Sequence, residues 1–200
     1  MKLLVLFLIG YLFGCVNFSI ILTKLLEKKD VRDFGSGNAG FTNTLRNFRL
    51  RTAVLVFIGD ALKAVCAILL AYLIMPDNKT AVFAASLGTI FGHNFPAIYK
   101  FKGGKGVLVS TVAIFFTDFR IGLVIFVGCV LIMFITGYVS LGSVIGAVAF
   151  PILTIIFHPA KPSYIVFAVV VGALSVFMHR QNIKRLLAGE ENCFRRKNDG

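Results

Sequence analysis

The stretch Ala53–Met75 reads AVLVFIGDALKAVCAILLAYLIM, twenty-three residues with only two charges, Asp60 and Lys63. An α-helix rises about 1.5 Å per residue, so about 20 apolar residues cross the hydrocarbon core of a bilayer. This stretch is long enough to do so. Its two charges stand three residues apart, on one face of a helix. An ion pair at that depth is costly in lipid unless it braces the bundle or lines a site; bracing is the simpler reading.

Working outward, runs of the same character recur at Leu3–Leu25, Ala81–Ile98, Gly106–Phe116, Ile121–Thr136, Val139–Phe157 and Tyr164–Met178. Gly106–Phe116 is short for a crossing and is expected to tilt, or to dip in and return under its neighbours. The fold expected is an all-α integral membrane protein with about seven transmembrane helices, one of them short, forming a single polytopic domain over residues 1–200. Composition agrees. Apolar residues make up 58% of the chain, charged residues 15%, and mean hydropathy is +0.86; about 45–50% apolar is usual for a soluble domain. Seven crossings consume roughly 140 residues, which leaves no room for a separate soluble domain. The first run is too long for a signal peptide, lacks a clear small-residue cleavage site and is followed by further spans.

Lys and Arg number 21 against 9 Asp and Glu, a net charge of +12. In a water-soluble chain this excess would suggest nucleic acid. In a lipid-embedded one it points to topology, membrane lipids and anionic ligands, and nucleic acid is not expected. Alternating sides at each run gathers sixteen cations on one side, from Lys24–Arg51, Lys100–Lys105 and the tail from Arg180 through Arg195, Arg196 and Lys197. The other side holds four: Lys2, Lys79, Arg120 and Lys161. The positive-inside rule then puts the N-terminus outside and the C-terminus in the cytoplasm. The four cysteines show no metal-binding spacing and read as small buried hydrophobes.

Three polar segments fall on the cation-rich side. The first is Gly35-Ser36-Gly37-Asn38-Ala39-Gly40-Phe41-Thr42-Asn43-Thr44-Leu45-Arg46, where glycines precede a helix start. Glycines permit tight turns and close approach of backbone N–H groups to an anion; Ser36, Asn38, Thr42 and Asn43 add hydroxyl and amide partners, and Arg46 a fork suited to phosphate. The second is His93-Asn94-Phe95-Pro96, then Lys100-Phe101-Lys102-Gly103-Gly104-Lys105-Gly106. It resembles a phosphate cradle but not a Walker A loop, because Tyr99 and Gly106 stand where Gly and Ser or Thr are required. The third is His179-Arg180-Gln181-Asn182-Ile183-Lys184-Arg185-Leu186-Leu187, then Gly189-Glu190-Glu191. On a helix His179 and Asn182 share one face, Arg180 and Lys184 another. Taken singly, these segments also read as a flexible loop, a topology signal and a basic juxtamembrane helix. Topology alone, however, calls for Lys and Arg and not for Gly-Ser-Gly-Asn or Gly-Gly-Lys-Gly.

In order and spacing the three segments resemble the bacterial acyl-phosphate:glycerol-3-phosphate acyltransferases. That family's patterns run Gly-Ser-Gly-Asn-x-Gly-Ala-Thr-Asn, then Gly-His-x-(Phe/Tyr)-Pro with Phe-Lys-Gly-Gly-Lys-Gly, then His-Arg-x-Asn-Ile-x-Arg-Leu-x-x-Gly-x-Glu. They correspond to Gly35–Asn43, Gly92–Gly106 and His179–Glu191; Gly14, Asn17, Asp60, Lys63 and Tyr138–Leu141 are similar too. This chain departs from the pattern at Phe41, Leu108, Val109 and Met178. The resemblance implies a seven-helix enzyme of the bacterial cytoplasmic (inner) membrane with a cytoplasm-facing site. It would move a fatty acyl group from acyl phosphate to the sn-1 hydroxyl of glycerol 3-phosphate, giving lysophosphatidate and phosphate, with no cofactor and no metal.

The residues suit two phosphorylated substrates. Arg46 and Lys105 are expected to hold phosphates, with backbone N–H groups at Ser36, Gly37 and Asn38 and at Gly103, Gly104 and Lys105. Ser36 and Thr42 would add hydroxyls, and Asn43, His93 and Lys102 would complete the anion site. His179 and Asn182 are expected to orient the glycerol hydroxyl, so that Ser36, Lys105, His179 and Asn182 form the catalytic set. The general base stays open between His179, His93 and the acceptor's own phosphate. Each of the three histidines lacks the Asp five residues on that a His-x-x-x-x-Asp acyltransferase needs. Competing readings are a CDP-alcohol phospholipid enzyme, which needs an aspartate array absent here, an organophosphate transporter, and a lipid-binding relative without activity.

Overall fold

The computed structural model describes residues Met1–Phe194. Arg195, Arg196 and Lys197, counted above among the cytoplasmic cations, lie outside the described residues. The described chain is helical without strands. Five stretches are long and apolar enough to span a membrane: Lys2–Glu27, Leu50–Ile74, Lys79–Tyr99, Phe119–Thr136 and Val139–Phe157. A bent pair, Pro162–Met178 with Arg180–Leu187, makes a sixth if counted as one span. Val107–Thr117 is the short apolar helix expected from the sequence. The chain falls into two compact units, Met1–Thr117 and Asp118 onward.

In the first unit, the first apolar run is two helices, α1 (Lys2–Cys15) and α2 (Phe18–Glu27), because Asn17 leaves the helical backbone and caps α2 by accepting the Ile20 N–H. A short helix α3 (Phe41–Asn47) precedes α4 (Leu50–Ile74), α5 (Lys79–Asn94) and α6 (Val107–Thr117). α1 and α5 pack with their backbones almost touching. A Cβ on Gly10 would strike the Ala85 carbonyl, one on Gly14 the Thr89 carbonyl, and ones on Gly88 and Gly92 the carbonyls of Phe7 and Tyr11. Each helix thus carries two glycines four residues apart on its contact face, the small-residue seam that lets membrane helices associate without a hydrophobic driving force. Tyr11 Oη extends this seam by donating to Phe95 O at 2.9 Å, beyond the end of α5.

The second unit holds α7 (Phe119–Thr136), α8 (Val139–Phe157), α9 (Pro162–Met178) and α10 (Arg180–Leu187). Asp118 caps α7, and its carboxyl is held well below the usual range, first by Arg120 and then by His158. Small residues again set the helix spacing, Gly142 against the Cys129 carbonyl and Gly172 against the Ala147 carbonyl. α9 and α10 meet at a bend of 58°. Leu62, Leu73, Phe126, Phe134 and Val166 point outward from their units, as lipid-facing side chains do. The cysteines depart from the sequence reading: Cys15 is buried, whereas Cys66 and Cys193 are exposed. On a helix surrounded by lipid, outward-facing Cys66 meets no polarity penalty.

Candidate functional site

The loop Lys28–Arg49 leaves α2 and enters α4, and it folds around one side chain. Asn43, 4% exposed, donates from Nδ2 to Val31 O, Phe34 O and Asn38 O at 3.0, 2.9 and 3.1 Å. Its Oδ1 accepts from the Ser36 N–H at 3.0 Å and from Asn47 Nδ2 at 3.1 Å. Gly35 turns the chain at φ +56°, where a Cβ would sit 2.5 Å from both Asn43 Oδ1 and Asn47 Nδ2. The side chain of Asn38 in turn binds Ser36, donating to its carbonyl and its hydroxyl at 3.1 and 3.2 Å.

The second loop runs from Phe95 to Gly106. Lys100 and Phe101 both adopt left-handed backbone, at φ 56° and 59°. That conformation costs a non-glycine residue about 1–2 kcal/mol. It is held by Phe101 N–H to Pro96 O at 3.0 Å and Lys102 N–H to Tyr99 O at 3.2 Å. Gly104 is buried against His93 Nε2 and the Ala39 carbonyl, leaving no room for a Cβ.

These two loops touch. The Ala39 N–H donates to Gly103 O at 3.3 Å. Arg32 reaches Tyr99 O at 3.4 Å and lies 5.7 Å from the centre of its ring. Arg32 is itself fixed by Asp30 at 2.7 Å, and beside that guanidinium Asp30 ionises well below the usual carboxylate range. The contact joins the segment that carries Ser36, Asn38, Thr42 and Arg46 to the one that carries Lys102, Gly103 and Lys105. Arg46 and Lys102 are exposed and Lys105 is half-buried. Phe41, one of the departures from the family pattern, packs edge-on against Phe57 of α4 at 5.3 Å.

Three expectations from the sequence change here. The N–H groups of Ser36, Gly37 and Gly104 are not aimed outward at an anion; they donate to Asn43 Oδ1, Phe34 O and His93 O at 3.0, 3.0 and 3.1 Å. A turn this tight must satisfy its own buried donors. Asn43 likewise spends its amide on the loop backbone. His93, 5% exposed, has Nδ1 3.0 Å from Lys63 Nζ and Nε2 beneath Gly104, so it lies under the loop rather than on its rim. The sequence offered no reason to single out Arg32, and it marked Asn17 only through the family resemblance, not through any partner for its amide. The Nδ2 of Asn17 donates to Ala39 O at 3.3 Å, an interaction with no local periodicity to betray it.

The third segment belongs to the second unit. His179 closes α9 and caps α10; it is 2% exposed and its Nδ1 lies 2.8 Å from Ser175 O. Donation from Nδ1 to that carbonyl fixes the neutral tautomer with its lone pair on Nε2. Asn182, 4% exposed, shares the buried face with His179, whereas Arg180 and Lys184 are exposed, the division the helical spacing predicts. Glu191 binds this face. Its carboxylate accepts from Asn182 Nδ2 at 2.7 Å, Ser140 Oγ at 3.0 Å and Arg185 Nε at 2.9 Å. Burial opposes its ionisation, but those three donors outweigh burial and hold its pKa below the ordinary value.

The fold is that of an integral membrane protein whose first unit carries glycine-turned loops bearing Arg46, Lys102 and Lys105. Residues 4–189 match the family described as glycerol-3-phosphate acyltransferase, and the chain belongs to that family. It is 41% identical over 192 residues to the glycerol-3-phosphate acyltransferase of Thermoanaerobacter pseudethanolicus, covering 96% of both chains. It is 38% identical over 195 residues to that of Clostridioides difficile, covering 96% of this chain and 95% of the other. Among solved structures it resembles PlsY (YgiH), an integral membrane glycerol 3-phosphate acyltransferase, in its glycerol 3-phosphate form. The TM-score is 0.89 at 32% identity, over 98% of this chain and 96% of that one. The lysophosphatidic acid form of PlsY matches with a TM-score of 0.85 at 31% identity, over 96% and 95%.

Proposed function

We propose that this glycerol-3-phosphate acyltransferase takes its acyl group from an acyl phosphate and delivers it to the sn-1 hydroxyl, at the cytoplasmic face of a bacterial inner membrane. The products are lysophosphatidate and inorganic phosphate. The observation that supports this reading is the contact between the Gly35–Arg46 and Lys100–Gly106 loops, which joins the segment bearing Arg46 to the one bearing Lys102 and Lys105. Both substrates are phosphate monoanions or dianions, and guanidinium and ammonium groups bind them through charge-assisted hydrogen bonds.

In the reaction the glycerol hydroxyl oxygen attacks the acyl carbonyl carbon, the carbonyl–phosphate C–O bond breaks, and phosphate leaves with the electron pair. An acyl phosphate already contains a good leaving group, so the protein's task is alignment and charge stabilisation. Alignment contributes about 7–11 kcal/mol in favourable cases, and one preorganised donor roughly 3–4 kcal/mol. Ser36 and Thr42 supply hydroxyls, and Arg46 and Lys105 supply the charge. The parts of His179 and Asn182, on the glycerol hydroxyl, rest on the family resemblance. Both ring nitrogens of His93 are engaged, Nδ1 beside Lys63 Nζ and Nε2 beneath Gly104, so the hydroxyl proton passes to His179 or to the acceptor's own phosphate.

The test is lysophosphatidate formation by purified protein given glycerol 3-phosphate with palmitoyl phosphate or with palmitoyl-CoA as donor, with phosphate release followed in the first case. Turnover is expected with the acyl phosphate alone, falling about 10²-fold or more in Lys105→Ala and in Arg46→Ala. Turnover with the thioester and none with the acyl phosphate overturns the donor assignment. Full activity in either variant overturns that residue's role.

A further inference from the structure

Lys63 lies inside the span α4, 4% exposed, and is tied to more than its ion-pair partner. Its Nζ is 2.7 Å from Asp60 Oδ1, 2.7 Å from Val16 O, 3.2 Å from Gly14 O and 3.0 Å from His93 Nδ1. The two carbonyls are ones left over where α1 stops. A helix end leaves its last carbonyls without intrahelical donors, and in lipid each such group costs several kcal/mol. The ammonium, with three donors and a charge, satisfies them and is itself neutralised by Asp60.

A staple holding α1, α4 and α5 would need no more than this. Two further bonds show where the staple leads. At the α1–α2 break, the residue after Val16 is Asn17, whose Nδ2 donates to Ala39 O in the first loop. At the end of α5, the carbonyl of His93 accepts the Gly104 N–H of the second loop, and its ring fills the space beneath Gly104. Ala39 and Gly103 are the residues through which the two loops join. Both arms from Lys63 therefore end at the joint of the candidate site, one bond away on each side.

We propose that Lys63 is a positioning residue for this acyltransferase: from within the bilayer its ammonium fixes the helix break and His93, and through Asn17 and His93 it sets the register of the two phosphate-binding loops. The proposal rests on the reading that those loops bind glycerol 3-phosphate. Lys63 does not touch substrate. Its loss misplaces Lys105 and Ser36 relative to each other, which weakens phosphate binding by about tenfold or more, since sub-ångström displacement of a bound group is felt strongly.

Lys63→Met leaves Asp60 buried and unpaired, so the decisive variant is the neutral pair Asp60→Asn/Lys63→Gln, accompanied by His93→Leu and Asn17→Ala, which each cut one arm. Equilibrium binding of glycerol 3-phosphate by calorimetry on detergent-purified protein is measured first, then KM and kcat separately. The expected result is a Kd and a KM for glycerol 3-phosphate raised about tenfold in the neutral pair and less in each single-arm variant, with kcat changed less than KM. In a Lys105→Ala background the neutral pair should add little, because a residue acting through a binding group is non-additive with it. An unchanged Kd in a variant that keeps its melting temperature overturns the proposal. So does a full multiplicative loss in the Lys105→Ala background, which marks general destabilisation. If the neutral pair does not fold, normal Kd values in both His93→Leu and Asn17→Ala overturn it. Failure of the wild-type protein itself to bind glycerol 3-phosphate instead refutes the reading of the loops.

Discussion

Each unit builds a polar cluster around a buried ion, Lys63 in the first and Glu191 in the second, and the two ions solve different problems. Lys63 in the first unit is a cation deep in a span, with partners from the end of α1, the break after it and α5, and a carboxylate beside it. Glu191 in the second unit is an anion beyond the last helix, with donors from α8 and α10. The first ion compensates for a helix that has been broken. The second ties a tail to helices that are whole. A charge in lipid has no water to fall back on, so its partners must all be present; a charge at a helix end exchanges lost partners for solvent.

The sharpest way to break this contrast is to remove Lys63 alone. Lys63→Met should destabilise the protein by about 3–5 kcal/mol, because it strands Asp60 in an apolar span. The neutral pair Asp60→Asn/Lys63→Gln should recover most of the loss, and thermal melts in detergent check both. If the single and double variants melt alike, the cluster is not held by charge. Next in size is the loop that the first cluster supports. Asn43→Ala should cost about 2–3 kcal/mol, since it leaves buried carbonyls at Val31 and Phe34 without donors; accelerated proteolysis within residues 28–49 is the readout.

The second cluster should yield less. Glu191→Ala is expected to cost about 1–3 kcal/mol, with Asn182 and Ser140 losing their acceptor. Its pH dependence sharpens the comparison. The carboxyl's pKa is lower in the fold than in the unfolded chain, so its stabilisation is complete above the unfolded value, about 4.3. It is lost as pH falls through the folded value. Melts at pH 7 and near pH 3 should show a drop in the wild type that shrinks in Glu191→Gln. The smallest effect belongs to Arg32→Ala, which leaves Asp30 paired with Lys24 and loosens the loop contact at Tyr99. Surface pairs of this kind contribute under about 1 kcal/mol, so a slightly higher KM for glycerol 3-phosphate with little change in melting temperature is expected.

Much of this was legible along the chain. The runs from Ala53 to Met75 and their counterparts gave the spans, because a bilayer accepts only long apolar helices. The short run ending at Phe116 proved to be the short helix α6. The division of His179 and Asn182 from Arg180 and Lys184 followed from helical spacing. The glycines at 10, 14, 88 and 92 held a readable signal too, the four-residue interval of a close helix seam.

What the residues alone determined is therefore the solvent the protein lives in, its all-helical class, and the motifs that mark its chemistry, since these depend on composition and local spacing. The tertiary structure decided which groups face inward. It spent the Ser36, Gly37 and Gly104 N–H groups on the loops themselves, turned Asn43 into a loop organiser, and set His93 beneath the loop against Lys63. It also broke the first span at Asn17. The loop bonds join residues 3 to 12 positions apart in irregular turns, and those of Asn17 and Lys63 join residues 22 to 49 apart; neither kind leaves a periodic trace in the sequence.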